Sequence, residues 1–507
     1  MKNFKNMRRI TTTLLILFVM QIAMTNAQFR GPSLGFFEGF TDVGAPGIPG
    51  TANYSEPDQV YRMQGSGSNI WFGEDQFTFL WKEMTGDYIL QAEMKFLGEG
   101  TEAHRKAGLM IRKGLSADAP HVSCVVHGDG LTSLQYRPSP GADMVGLPFE
   151  ISAADVIQLE KKGNTYTMSV AHRGEMYMTR TLELGIGDTL LAGLFICSHN
   201  DSVSEEALFR NVRIFGTEPE GFVQYRDYLG SLLEVMDIET GHRRILGGAD
   251  GSWQAPNWTP DGTRLIYNAD GFLYNFDLGT GTSSILPTGF ADRNNNDHVI
   301  SFDGSRIAIS HHAEEDNGQS VIYTLPLAGG TPRRVTPNSP SYLHGWSPDN
   351  RYLVYTGGRD GFYNIYRIPV EGGAEEKLTD VPTLDDGPEY SPDGKYIYFN
   401  SARTGTMQIW RMDPDGSHPT QLTFDEYNDW FPHVSPDNRW IVFISFPPEV
   451  PASDHPFYKR VYLKIMSTQD MKPRVIGYLY GGQGSINVPS WSPDSKHIAF
   501  ISNGLFQ

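Results

Sequence analysis

Trp346-Ser347-Pro348-Asp349-Asn350-Arg351-Tyr352-Leu353-Val354-Tyr355 decides how the C-terminal half of this chain folds. Its opening five residues return as Trp258-Thr-Pro-Asp261-Gly, Ile300-Ser-Phe-Asp303-Gly, Tyr390-Ser-Pro-Asp393-Gly, Val434-Ser-Pro-Asp437-Asn and Trp491-Ser-Pro-Asp494-Ser. The repeat aspartates stand 42, 46, 44, 44 and 57 residues apart. Proline presets the first turn position, and Asp followed by Gly or Asn tolerates a tight turn. A β-rich run follows each turn, such as Tyr396-Ile-Tyr-Phe or Ile441-Val-Phe-Ile, and two further strand candidates complete the unit. A period in the forties built from short strands predicts a radial array with one four-stranded sheet per repeat, that is, a β-propeller.

The count of repeats also predicts how the ring closes. After the sixth anchor the chain supplies one more strand, His497-Ile-Ala-Phe-Ile, and ends at Gln507. Leu233-Glu-Val-Met-Asp-Ile-Glu-Thr-Gly-His-Arg-Arg-Ile-Leu, upstream of the first anchor, matches the third and fourth strands of a repeat. Six blades are expected, the last made of two N-terminal and two C-terminal strands, which would remove exposed sheet edges.

The 507 residues exceed one ordinary core, so a second domain is expected ahead of the ring. Gly (54) and Pro (32) are abundant and no helical period stands out, which together indicate an all-β chain. Strand runs begin at Tyr88, Ala107, Ser133, Val156, Thr165, Leu190 and Ala207, separated by turns such as Lys162-Gly-Asn. Seven such runs predict a β-sandwich over residues 28–216, with the propeller occupying 217–507. Residues 1–27 read as a signal peptide: Lys2, Lys5, Arg8 and Arg9 precede the apolar run Ile10–Met24, with a cut expected after Ala27. The apolar run is short for a membrane span, so no transmembrane anchor is expected after cleavage. The chain carries a net charge of −18, and losing four basic leader residues makes the remainder more acidic still, which argues against nucleic-acid partners. Cys124 and Cys197 could form one bridge or remain two buried thiols.

The repeat copies resemble the PD40 repeats of TolB-type six-bladed propellers, across essentially all of residues 225–507. The second copy departs from the pattern with Phe302 in place of proline, and the stretches Pro447–Pro456 and Tyr478–Gly484 lengthen the fifth repeat. The sandwich resembles concanavalin-like (laminin-G-like) jelly rolls in Gly86-Asp-Tyr-Ile-Leu, Lys106-Ala-Gly-Leu-Met-Ile-Arg and Phe209-Arg-Asn-Val-Arg-Ile. TolB is a periplasmic protein of the Tol-Pal system, but its partner domain is not a sandwich, so that role does not carry over. The two resemblances together imply an exported protein, periplasmic or secreted, of a Gram-negative polysaccharide user.

Candidate site residues follow from loops and from breaks in the repeat. In the sandwich, Trp71, His127, Asp129, Tyr136 and Arg137 mix an aromatic face with directed polar groups, as glycan binding requires. In the propeller, the position five residues before each repeat aspartate holds proline in four copies but His298 and His344 in two, with His433 one step displaced. Asp297, Asp386 and Asp429 lie nearby, and His311, Arg359 and Arg403 follow the second strands of their blades. Imidazoles converging with carboxylates suit a divalent metal or a general acid/base pair. His298, His344, His433 and His311 are therefore the candidate metal ligands, and His298, His344, His433, Arg359 and Arg403 the candidate catalytic groups. The resemblance extends to PD40-like oligogalacturonate lyases, which use a histidine cluster at this face. The function expected is a binding protein for glycans or envelope or secreted partners; the alternative is a lyase or glycoside hydrolase working at the propeller's central face.

Overall fold

A computed structural model of the protein describes residues 34–504; the expected signal peptide lies outside them. Among the described residues every sheet is antiparallel, and the helical content is one short turn at Glu314–Asp316. No helix among the described residues is long and apolar enough to cross a membrane.

The C-terminal half is a ring of six blades. Blades 1 to 5 are four-stranded sheets built from residues 253–285, 294–334, 341–377, 385–421 and 428–481. Each innermost strand leads into a repeat turn, and the turn chemistry is the same six times. The Ser or Thr hydroxyl hydrogen-bonds the repeat aspartate, as in Ser347 Oγ to Asp349 Oδ1 at 2.6 Å, and Tyr352 N returns to Ser347 Oγ at 2.9 Å. Two of the three motif tryptophans staple neighbouring blades: Trp346 Nε1 donates to Val299 O (2.8 Å) and Trp491 Nε1 to His433 O (2.9 Å). Apolar clusters then fill each gap between blades. Ile266 and Leu273 pack on Ile307 of the next blade, and Leu233 and Ile501 pack on Leu265 to close the circle. A single blade cannot bury its own faces, so each depends on the blades beside it.

The sixth blade differs in detail from expectation. Ser231–Asp237 pairs with both Arg243–Ala249 and His497–Asn503, so strands from the two ends do close the ring. The fourth, innermost position is a bulged segment that contributes a single bridge, Trp491 to Ile498, with Ile501 N donating to Ser485 O. The Gly-rich run Gly481-Gly482-Gln483-Gly484 turns out of strand geometry here, with φ of 129° at Gly482 and 82° at Gly484.

The N-terminal half holds two seven-stranded sheets, and each of the seven strand runs named from the sequence forms. One sheet runs Gly39–Val43, Phe77–Thr85, Thr189–Cys197, Lys106–Arg112, His121–His127, Leu131–Arg137, Val145–Ser152. The other runs Met178–Glu183, Thr165–Ala171, Val156–Lys162, Tyr88–Leu97, Glu205–Gly216, Val60–Gly65, Thr51–Ser55. One apolar core lies between them, with Leu109, Cys124 and Leu194 from the first sheet and Leu90, Leu159 and Phe209 from the second. Cys124 belongs to this core, whereas Cys197 belongs to a separate cluster with Phe77 and Phe195. The two thiols are buried and free.

The two halves are bonded through a buried charge cluster. Glu234, from the sixth blade, pairs with Arg243 of the same blade (2.6 Å) and with Arg213 of the N-terminal half (2.5 Å). Burial alone would raise the Glu234 carboxyl, but the two guanidiniums pull it down to about 2. Aromatic contacts extend the seam, including Phe215 stacked on Tyr480 and Tyr177 against Tyr478.

Candidate functional site

The channel of the propeller opens at one end into a funnel of about 820 Å³. Its wall comes from the beginnings of the innermost strands, because these converge from all blades. Asn295, Asn296 and Asp297 descend from blade 2, Tyr342 and His344 from blade 3, Asp386 from blade 4 and Phe431 from blade 5. The rim is supplied from outside the repeat. Tyr225 and Tyr228 come from the segment joining the halves, and Ser453, His455 and Phe457 come from the lengthened part of blade 5.

At the base, His344 Nε2 and Asp386 Oδ1 form an ion pair at 3.1 Å, while Thr356 Oγ1 donates to the same oxygen at 2.6 Å. Burial opposes the Asp386 charge, yet the His344 contact overrides it and the carboxyl sits at about 2. Burial likewise opposes charge on His344, and the two carboxylates raise its pKa nonetheless. Asp297 behaves in the opposite way. Its burial, together with repulsion from Asp386, outweighs the pull of His344 and pushes it up to about 7. One carboxyl ready to hold a proton at neutral pH therefore stands beside an ionised one, with an imidazole facing both. His344 also stacks on Phe431 at 5.9 Å.

The propeller segment 344–449 matches the PD40 model, described as the TolB β-propeller domain. A protein of Agrobacterium fabrum, Atu1656, itself uncharacterised, is 44% identical over 272 residues, which are 54% of this chain and 92% of that protein. The chain belongs to the TolB β-propeller family. A solved structure from Agrobacterium tumefaciens assigned as a TolB is 43% identical, covers 55% of this chain and 99% of its own, and has a TM-score of 0.52. A TolB structure from Acinetobacter baumannii is 21% identical at a TM-score of 0.40, covering 50% of this chain and 64% of its own. The two close matches span about half of the chain.

Within this TolB-type ring the histidines named as metal ligands do not share one centre. His344 faces the funnel, but His298 is wholly buried with Nε2 against Ile266 O of the neighbouring blade at 3.2 Å. Burial drives its pKa down to about 4. His433 is locked to Glu389 Oε2 of the adjacent blade at 2.6 Å and to Ile486 O. His311 packs between Phe290 and Tyr323, and the residue that reaches the funnel wall is His312. Innermost strands carry a bulge, which explains the scatter. Register slips between Gln254 and Asn257, Asn294 and His298, Leu343 and Gly345, Asp386 and Glu389, and Trp430 and His433. A slip reverses which way the following side chains point, so one position upstream of the aspartate does not face one direction in all blades.

The candidate arginines are structural. Arg359 Nη2 donates to Glu375 Oε1 (2.6 Å) and Nη1 to Pro340 O (2.6 Å), holding its own blade together. Arg403 Nη2 donates to Asp385 Oδ2 (2.8 Å) and covers the Trp410 ring at 4.6 Å. Asp429, another nearby carboxylate, is buried with Ser445 and Lys464 and does not line the funnel.

In the N-terminal half, Trp71 and His127 line a second pocket of about 390 Å³ together with Lys106, Ser133 and Gln135. Lys106 Nζ lies 5.6 Å from the centre of the Trp71 ring and donates to Asn69 Oδ1 at 2.9 Å. Burial lowers this ammonium to about 8. The other members of the expected glycan set do not line this pocket. Arg137 is fully buried, with both terminal nitrogens on Asp75 at 2.6 Å, and Arg112 shares that carboxylate at 2.7 Å. Tyr136 packs against the core between the sheets, and Asp129 Oδ1 accepts from Leu131 N in a hairpin turn.

Sequence reasoning missed the rim residues Tyr225, Tyr228, His455 and Phe457. For the last two the signal was present, since the extra length of the fifth repeat is what carries them. Tyr342 and Tyr363 carry no such mark, because aromatics recur throughout the blades.

Proposed function

We propose that this chain is an exported binding protein that takes a glycan into the funnel of its propeller. The observation that carries the reading is a set of buried polar atoms without a protein partner. Asn294 Oδ1, Asn296 Nδ2 and His455 Nδ1 all belong to residues that line this one funnel. Buried polar groups are nearly always hydrogen-bonded, so such a group of orphans at a concave aromatic wall suits a ligand rich in hydroxyls. Tyr342 and Tyr363, with ring centres 6.3 Å apart, supply faces on which a sugar ring can stack. Family membership supports an envelope-associated role, and the acidic composition suits a periplasmic or secreted setting. In the same proposal residues 28–216 form a concanavalin-like jelly roll and 217–507 the propeller, with the Trp71 pocket as a second glycan surface. Calorimetric titration of the full chain with neutral and acidic oligosaccharides tests the reading. Binding that Tyr363→Ala weakens roughly tenfold supports it. Saturable binding unchanged in both Tyr342→Ala and Tyr363→Ala, or no binding at all, sinks it.

A catalytic reading is favoured by one observation, the separation of Asp297 at about 7 from Asp386 at about 2. Carboxyls whose environments drive their pKa values apart are the arrangement that acid/base hydrolysis uses. In this reading Asp297 donates the proton, Asp386 stays ionised and His344 positions it. The metal-dependent lyase form has less support, because His298 and His433 are committed to neighbouring blades. Turnover of the same oligosaccharides that vanishes in Asp297→Asn while binding persists would make the protein an enzyme.

A further inference from the structure

Three loops meet at one end of the first N-terminal sheet. The hairpin tip Gly128-Asp129-Gly130 is bonded to the loop before Lys106: Asp129 N donates to Ala103 O at 2.8 Å and Gly128 N to Arg105 O at 2.9 Å. That loop is pinned in turn by Glu205, which takes Thr101 N at 2.9 Å and the Arg105 guanidinium at 2.5 Å in a buried pair. Asn200 Nδ2 reaches Glu102 Oε1 at 3.4 Å and ties in the third loop. The backbone thus holds His104, Asp129 and the strand-end His127 together independently of any contact between their side chains.

One ligand atom from each of these three residues lies within 4.8 Å of the other two. His104 Nδ1 is 3.7 Å from Asp129 Oδ2, and the two imidazole rings meet edge to face at 5.8 Å. His127 is 5% exposed, and its Nδ1 has no partner. Its Nε2 faces the Gln135 side-chain amide at 3.1 Å, whose Oε1 is likewise buried without a partner. With that amide turned over, Oε1 accepts from Nε2–H, and the tautomer so fixed leaves the Nδ1 lone pair bare. Metal-ligating imidazoles donate their other N–H to an oxygen acceptor, most often a carboxylate or backbone carbonyl, and the Gln135 amide oxygen stands in that place here. His199, its ring 5.6 Å from that of His104, also has a buried Nδ1 without a partner.

We propose that His104, His127 and Asp129 bind a divalent transition metal of the zinc class, with His199 as the available fourth ligand. Two imidazoles and a carboxylate suit Zn²⁺ far better than the all-oxygen preference of Ca²⁺ or Mg²⁺. Both His104 and His127 line the pocket that holds Trp71, so a sugar hydroxyl or carboxylate resting there completes the coordination. The site is separate from the propeller funnel and does not depend on what the funnel does.

Competition between the metal-free full chain and a chromophoric chelator for Zn²⁺, paired with visible absorption of the Co²⁺ form, tests the assignment. The expected result is one Zn²⁺ per chain, and weakening by roughly 10- to 100-fold or more in His104→Ala and in Asp129→Asn. Both changes fall on exposed side chains, so folding is preserved even if His127→Ala fails to fold. His344→Gln in the funnel should bind Zn²⁺ as the unaltered chain does. Zinc binding that neither loop variant weakens, a loss confined to His344→Gln, or no saturable binding by the unaltered chain overturns the assignment.

Discussion

Two carboxyls that face the same imidazole respond to pH in opposite directions. Asp297 moves from its ordinary 3.8 to about 7 in the fold. Between those values the folded state keeps a proton that the unfolded chain has lost, so stability falls as pH rises through that window, by at most about 1.4 kcal/mol per unit. Asp297→Asn should therefore gain on the unaltered chain by a few kcal/mol at pH 8 and by little at pH 4, measured by urea denaturation at both. Asp386, held at about 2, contributes stability that is present above pH 3.8 and lost as pH falls through about 2. Asp386→Asn should cost about 2 kcal/mol at neutral pH in the same experiment; equal behaviour of the two variants would contradict the assignment. A second residue-scale effect concerns the repeat turns. The residue after the aspartate is left-handed in every copy, filled by Gly262, Gly304, Asn350, Gly394, Asn438 and, in the last, Ser495 at φ 61°. Asn350 and Asn438 also accept a backbone N–H from another blade's turn, as Ser495 Oγ does from Asp437 N. Ser495→Asn keeps that bond and relieves the strain, so it should raise stability by about 0.5–1 kcal/mol, read as a higher melting temperature.

At the scale of elements, the strand His497–Asn503 closes the ring. It meets Ser231–Asp237 along its full length, and its Ile501 and Ala499 complete the cluster shared with blade 1. Ending the chain at Lys496 would leave the Ser231–Asp237 edge unpaired and the faces of blades 5 and 6 uncovered. Loss of the folded species that the unaltered chain gives on gel filtration is the expected outcome, and unchanged elution with an unchanged melting temperature would contradict closure by this strand. This pairing was legible in the sequence because Leu233–Leu246 repeats the second half of a blade. The bulges were not legible. In blades 1, 4 and 5 the residue six before the aspartate is left-handed (Ala255, Gly387, Phe431), and only one of these is glycine. Nothing in an alanine or a phenylalanine announces that conformation, so His433 was expected to face a channel from which the backbone turns it away; His298, in blade 2, is displaced instead by the wider register slip between Asn294 and His298.

At the scale of the molecule, the two halves form a unit joined through Glu234. Both carboxylate oxygens are taken by buried guanidiniums, and Ser502 adds a further bond. Removing the charge strands Arg213 and Arg243 without a counter-ion, so Glu234→Gln should destabilise by about 3–5 kcal/mol. Guanidinium denaturation followed by tryptophan fluorescence reads this, and a change under 1 kcal/mol would mean that the triad does not tie the halves together. The joint also shapes the funnel, since Tyr225 and Tyr228 of the connecting segment stand on its rim.

By itself the sequence determined the ring, the number of blades and the way the ends meet, because a turn that must be built six times leaves six copies of its chemistry. It also marked His344, which stands where most copies have proline, and noted Asp297 and Asp386 as carboxylates close by in sequence. Which of the marked residues meet was decided only by the tertiary structure. A bulge reverses a side chain without changing its place in the repeat, and a buried pair such as Arg137 with Asp75 forms between residues 62 positions apart. The funnel rim and the His104–His127–Asp129 cluster arise the same way, from loops of different elements that no local pattern brings together.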